Sequence, residues 1–128
     1  MTRIRVPGEK RLYWVGSSFK DLLKFPAKVQ RIMGFAFGTA QFGGKHPAAK
    51  PWKGEGPGTF EVVADFDWNT YRAVYTVRFP EAVYVLHAFQ KKSPHGIATR
   101  TSDVSLIRER MRAAQEDYEA RYGSKQSN

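Results

Sequence analysis

The sequence contains no cysteine, which excludes disulfides, thiolate nucleophiles and thiolate metal sites. No apolar run approaches the roughly 18–20 residues needed to span a bilayer. Residues 1–11 are polar and lack the apolar segment of a signal peptide, so a cytosolic protein with no membrane partner is expected. The three histidines, His46, His87 and His95, share no H-x-x-H or H-E-x-x-H spacing, and no metal or other cofactor is expected. The nucleophile motif G-x-S-x-G is missing as well. Acid is scarce in the first part of the chain. Residues 1–53 carry 11 basic and two acidic side chains, whereas residues 54–128 carry ten of each, and the whole chain is +9. That asymmetry points to one positive face and to a polyanion or an acidic protein as partner.

What is present describes a globular domain. With 128 residues, 41% hydrophobic, and 18 aromatic residues among them, the chain is long enough for one core. It divides into a flexible leader over 1–10, a single domain over 11–122 and a flexible tail over 123–128, without internal repeats. The centre is the stretch 70–100. Residues 70–79 place Tyr71, Ala73, Tyr75, Val77 and Phe79 on one face and Arg72, Val74, Thr76 and Arg78 on the other, the period of a half-buried strand. Pro80 and Glu81 break the run, and residues 82–89 supply a second strand, so the two read as an antiparallel hairpin. Gln90, Lys91, Lys92, Ser93, Pro94, His95 and Gly96 follow, and from Ala82 to Arg100 there is no acid.

Ahead of the hairpin, residues 11–16 form a short strand candidate. Ser17 or Ser18 is placed to cap a helix reaching Leu23 or Lys24. Pro26 suits the first position of a second helix running to about Phe42, with Val29, Ile32, Met33, Ala36 and Ala40 recurring at helical spacing and Lys24, Lys28 and Arg31 on or near the other side. Residues 43–58 hold three prolines and five glycines and read as a loop carrying Lys45, Lys50 and Lys53. Residues 59–66 alternate again, and Asp67, Trp68 and Asn69 turn the chain into the hairpin, which gives a three-stranded meander. Glu61 and Asp65 fall on one strand face as a solvated surface. Thr101 or Ser102 is placed to cap a last helix, in which Val104, Ile107, Met111, Ala114 and Tyr118 form a narrow apolar stripe that docks it on the domain. The fold class is α+β.

The cations carry the chemistry. RNA is cleaved without a metal when the ribose 2′-hydroxyl attacks its own phosphate in line. The protein then takes a proton from that hydroxyl, stabilises the charge on the phosphorane and protonates the leaving 5′-oxygen. Arginine supplies a planar fork for phosphate oxygens, and histidine or a lysine of lowered pKa moves protons. Arg72, Lys91, Lys92 and His95 are the candidate catalytic residues, and Lys45, Lys50, Lys53, Lys24, Lys28 and Arg31 the candidate RNA-binding ones. His87, inside an apolar strand, has the setting of a hydrogen-bonded core residue.

The order strand, two helices, basic loop ending Trp52-Lys53-Gly54, then F-E-V-V, Y-R-A-V-Y, V-L-H-A-F-Q-K-K-S-P and a final helix resembles the RelE/HigB-type toxins of bacterial toxin–antitoxin pairs. It looks closest to their phage-related, HigB-like branch. The resemblance spans about Leu12 to Met111, and its specific parts are residues 71–75 and 89–93. It implies a RelE-like fold, an N-terminal helical hairpin packed on a small antiparallel sheet with a C-terminal helix. It also implies a ribosome-dependent endoribonuclease that cuts messenger RNA and a cognate helix-turn-helix antitoxin, as a hetero-oligomer or with self-association. The strand arginine of that family that contacts the scissile phosphate matches Arg72, and the basic residues after the last strand match Lys91 and Lys92, with His95 in the same segment. Where some relatives carry two lysines on the preceding strand, this chain has Glu61, Val62 and Val63. A tyrosine that some relatives carry in the last segment is absent. The rival expectation is a non-catalytic binder, such as the ParE-like gyrase inhibitors of the same superfamily.

Overall fold

A computed structural model describes residues 7–91 and 100–123. Eight elements follow in the order β1 (Arg11–Trp14), α1 (Ser18–Leu22), α2 (Ala27–Gln41), β2 (Ala49–Pro51), β3 (Thr59–Phe66), β4 (Asn69–Phe79), β5 (Ala82–Lys91) and α3 (Thr101–Tyr122). The strands make one sheet in the order β1-β5-β4-β3-β2. The expected meander is its centre, with β3, β4 and β5 consecutive and antiparallel. Two strands extend it. β1 lies parallel to β5, so the sheet is mixed rather than purely antiparallel. Within the expected loop, Ala49–Pro51 pairs with Val62, Glu61 and Phe60 as an edge strand. A proline is tolerated there because an edge strand has one side free of ladder partners.

Both faces of the sheet are covered, which the alternation in β4 did not foretell. On one side Tyr71, Ala73, Tyr75, Val83 and Val85 meet Leu22 of α1, Phe25, and Val29, Met33, Ala36, Phe37 and Ala40 of α2. On the other, Val74, Phe79, Tyr84 and Leu86 meet Ile107, Met111 and Ala114 of α3, with Val104 and Tyr118 packed alongside. The expected apolar seam of the last helix is thus its docking face. Val74 and Thr76 on the α3 side are as fully buried as Ala73 on the α2 side. Polar contacts tie α3 down further. Tyr84 Oη donates to Asp117 at 2.6 Å, and Asp117 also pairs with Arg121 at 2.7 Å.

Helix starts differ from the expected caps. Ser17 stands at the cap of α1, but its hydroxyl goes to Asp21 Oδ2 at 2.7 Å instead of an orphan N–H, and Ser18 is buried with its hydroxyl on Val85 O at 3.1 Å. Pro26 precedes α2 by one position, and Arg100, not Thr101 or Ser102, precedes α3. Lys10, assigned to the leader, is anchored: its N–H reaches Gln41 O at 2.8 Å and its Nζ reaches the carbonyls of Val77 and Phe79 at 3.1 Å each. No helix among the described residues is long and apolar enough to cross a membrane.

Candidate nucleic-acid interface

Strand register decides which cations meet. Arg72 lies opposite Phe89 on β5 and Val63 on β3, and Thr70, two residues earlier, lies opposite Lys91 and Asp65. Side chains two apart on a strand share a face, so Arg72 and Lys91 are diagonal neighbours on the α3 side. Glu61 lies opposite Val74 on β4 and opposite Lys50 on β2, which puts it diagonal to Arg72 and beside Lys50. Lys91 was expected to have left the strand; β5 instead continues through it, so its backbone is held by the sheet. A hollow of about 320 Å³ lined by Lys50, Pro51, Trp52, Lys53 and Glu61 adjoins this cluster.

Glu61 corrects the expectation of a solvated surface. It is 7% exposed, and its Oε1 accepts from Arg72 Nη1 at 2.7 Å. The two side chains are 10% and 13% exposed, so the pair is largely removed from water. The reason lies just after β2: Trp52 is buried in the α3-side cluster and lines the same hollow as Glu61, on a face that alternation alone assigns to solvent. A charge-assisted contact of this kind fixes the guanidinium, since a buried ion pair with one partner removed is strongly destabilised. Arg72 Nε is buried and has no hydrogen-bond partner among the described residues. The arginine is therefore held through Nη1, while its buried Nε is closed to solvent.

Lys91 feels the same cluster. Burial lowers its pKa from the ordinary lysine value, and the positive charges of Arg72 and Lys50 lower it further, against the opposing pull of Glu61. A lysine so placed holds its proton less tightly than a solvated one. Among the described residues, no group of histidines and carboxylates is arranged to hold a metal.

The ten predicted site residues do not form one surface. Arg72, Lys91, Lys50 and Lys53 belong to the α3 side and the β2 edge of the sheet. Lys28 and Arg31 are exposed on α2, which packs on the opposite side, and Lys24 precedes that helix and sits 3.8 Å from Asp21. Lys45 donates to Ala49 O at 3.0 Å beside β2. Lys92 and His95 lie outside the described residues. His87 is buried, with Nε2 2.8 Å from Asp103 and its ring stacked on Phe89 at 4.6 Å. It is the hydrogen-bonded core residue that its strand setting suggested. An extra residue in β5, Leu86, breaks the register beside it and lets Leu86 join the α3 core.

A second surface was not anticipated. On the outer face of α2, Phe35 and Phe42 are 70% and 56% exposed. With Arg31, Gly34, Gly38 and Thr39 they line an open groove of about 540 Å³. Among the described residues nothing lies within 4 Å of where a Cβ on either glycine would be. The signal was available in the sequence: positions 31, 34, 35, 38 and 42 recur at helical spacing, and α2 contains no acid.

The described residues form an α+β protein with a single sheet, covered on both faces, that presents a carboxylate-held arginine flanked by Lys50 and Lys91. The chain belongs to the phage derived protein Gp49-like family, whose sequence profile matches residues 20–112. No curated protein matches the sequence. Among solved structures, it is similar to a chain in the crystal structure of the toxin–antitoxin complex RelBE2 from Mycobacterium tuberculosis. The two share 23% identity with a TM-score of 0.44, over 64% of this chain and 98% of that chain.

Proposed function

We propose that the chain is the toxin of a type II toxin–antitoxin pair, of the HigB-like branch of the RelE type, and that it cleaves messenger RNA on the ribosome without a metal. The observation that carries this is the Arg72 guanidinium, held on the central strand by Glu61 and set among Lys50, Lys53 and Lys91. Such a cluster suits one phosphate with its neighbours, because cations gathered around one charge of their own leave net positive potential for a phosphodiester.

The ribose 2′-oxygen attacks phosphorus while the bond from phosphorus to the 5′-oxygen breaks. Arg72, anchored through Nη1, offers its other terminal nitrogen, Nη2, to the phosphorane oxygens. The proton from the 2′-hydroxyl goes to a base and a proton reaches the leaving oxygen. Lys91, whose pKa is lowered by burial and by Arg72, is suited to one of these transfers. Lys92 and His95 are the further candidates for them. The partner on this reading is a cognate helix-turn-helix antitoxin, and the apolar groove on α2 is the surface proposed to receive it.

Programmed ribosomes kept intact by polyamines in excess EDTA test the chemistry. Cleavage should persist, and the upstream product should end in a 2′,3′-cyclic phosphate or a 3′-phosphate. A 3′-hydroxyl end, or loss of activity with the chelator, overturns the proposal. His95→Gln should slow cleavage by about 10²–10⁴-fold if His95 transfers a proton; a loss of only a few-fold leaves Lys91 and Lys92 as the candidates.

A further inference from the structure

At the tip of the β3–β4 hairpin only Asp67 and Trp68 lie between the paired residues Phe66 and Asn69. Both have positive φ, 52° and 68°, which is the two-residue turn whose twist matches the strands and which Asn-Gly or Asp-Gly fills most easily. Asp67 is at home there. Trp68 is not, because a bulky side chain is a true outlier in the left-handed region and glycine would adopt it at lower cost. Among the described residues nothing packs on its side chain, which is fully exposed at 102%. A strained backbone position bearing an unburied indole has the character of a contact residue.

Register places that indole. Thr70, two residues on, is opposite Lys91, so Trp68 stands beyond the end of the sheet at which Lys91 lies. Arg72 is four residues away, roughly 13 Å along the strand at the usual rise. The tip is stiffened by Thr70 Oγ1 donating to Asp65 at 2.7 Å and by Gln90 Nε2 donating to Asn69 at 3.0 Å. Beside the ring lies a hollow of about 400 Å³ lined by residues 65–70. Asp65 and Asp67 make this tip locally acidic, so it repels a phosphate and favours the uncharged part of a nucleotide.

We propose that Trp68 is a stacking platform for one unpaired nucleobase of the RNA whose phosphates lie on Arg72, Lys91 and Lys50. This rests on the function proposed above and assigns a base contact to it. The backbone goes to the cations, and the neutral base goes to the acidic, aromatic tip. Stacking on an exposed aromatic tolerates any base, because each has a π-face.

The test uses the full chain and a fluorescein-labelled, adenine-rich single-stranded RNA ten-mer at low salt. Trp68→Ala should weaken binding by about 5- to 100-fold, within the range for loss of one base stack, with the salt dependence unchanged because no phosphate contact is lost. Trp68→Phe should retain part of the affinity, and an oligonucleotide abasic throughout should bind wild type and Trp68→Ala alike. Equal binding of the adenine-rich RNA by wild type and Trp68→Ala overturns the stacking role, as does a wild-type chain that binds no RNA. Loss of binding to a protein partner by Trp68→Ala, with RNA affinity intact, also overturns it and makes the tip a protein contact. If wild type cleaves with the expected ends while Trp68→Ala is unaffected, only this inference fails. If wild type does not cleave, it is the proposed function that fails.

Discussion

The two sides of the sheet carry positive charge in different ways. On the α3 side, Arg72 is half-buried, paired with Glu61 and aimed by a central strand, and Lys50 and Lys91 occupy ladder positions. On the outer face of α2, Lys28 and Arg31 are solvated, and Arg31 borders exposed Phe35 and Phe42 over a floor of glycine. Charge of one sign does not define one function. The first arrangement is preorganised and polar, suited to a small fixed anion. The second is apolar with a cationic margin, suited to the face of a helix with acidic edges.

The most forceful way to break the comparison is Arg72→Ala. It should lower RNA cleavage by at least about 10²-fold, the scale for removing a transition-state charge contact. It should also destabilise the fold by about 3 kcal/mol, because Glu61 is left buried without its cation. Glu61→Gln/Arg72→Ala separates the two effects: melting temperature recovers and cleavage does not. Arg72→Lys should rescue poorly, since a point charge does not replace a fork. An Arg72→Ala chain that remains folded and fully active removes this residue from the mechanism.

On the other side, Phe35→Asp should weaken capture by the antitoxin by about 30-fold or more, the scale of an interface hot spot. Stability should stay within about 0.5 kcal/mol, as at other exposed positions, and cleavage by the free protein should be unchanged. Titration of the two chains by calorimetry together with a cleavage assay measures both, and unaltered antitoxin affinity moves the docking surface elsewhere.

A smaller effect comes from His87, which joins β5 to α3. Burial holds its pKa below the ordinary 6.5, outweighing the Asp103 contact that raises it, and Arg110 lowers it further. The unfolded chain therefore takes up this proton first as pH falls. Stability contributed by the neutral ring is present above about pH 6.5 and is lost as pH falls from there through the folded pKa. His87→Gln keeps a hydrogen-bonding group without the titration and should flatten the acid limb of a melting-temperature profile; an unchanged limb assigns it to other groups.

Gly34→Ala should have the smallest effect. A glycine in an exposed helix interior costs roughly 1 kcal/mol relative to alanine, and the space is open. The variant should melt a few degrees higher. If a partner backbone lies against that floor, antitoxin affinity should fall at the same time, which a stability effect alone does not produce.

Much of the frame was legible because it follows from short periods. Alternation over residues 59–66 and 70–79 marked two strands, the recurrence of Val29, Met33, Ala36 and Ala40 marked the buried face of α2, and the stripe from Val104 to Tyr118 marked the seam of α3. Pairing partners were less accessible. β2 is three residues without a period, and its existence rests on β3 being there to receive it. β1 was visible as apolar, but its parallel alignment with β5 depends on the helices that intervene.

Residue types and spacing by themselves determined the α+β fold class, the basic first part of the chain, an arginine on the first strand of the central hairpin and lysines after its second. The tertiary structure alone decided that Glu61 is buried against Arg72, that Lys91 and Lys50 flank this pair, and that Lys28 and Arg31 lie on the far side. The physical reason is that periodicity reports which face a side chain occupies, whereas burial and electrostatic neighbourhood depend on what covers that face. Here Trp52 from a period-free loop and a helix from the end of the chain do the covering, and neither leaves a mark on the local pattern of β3 or β4.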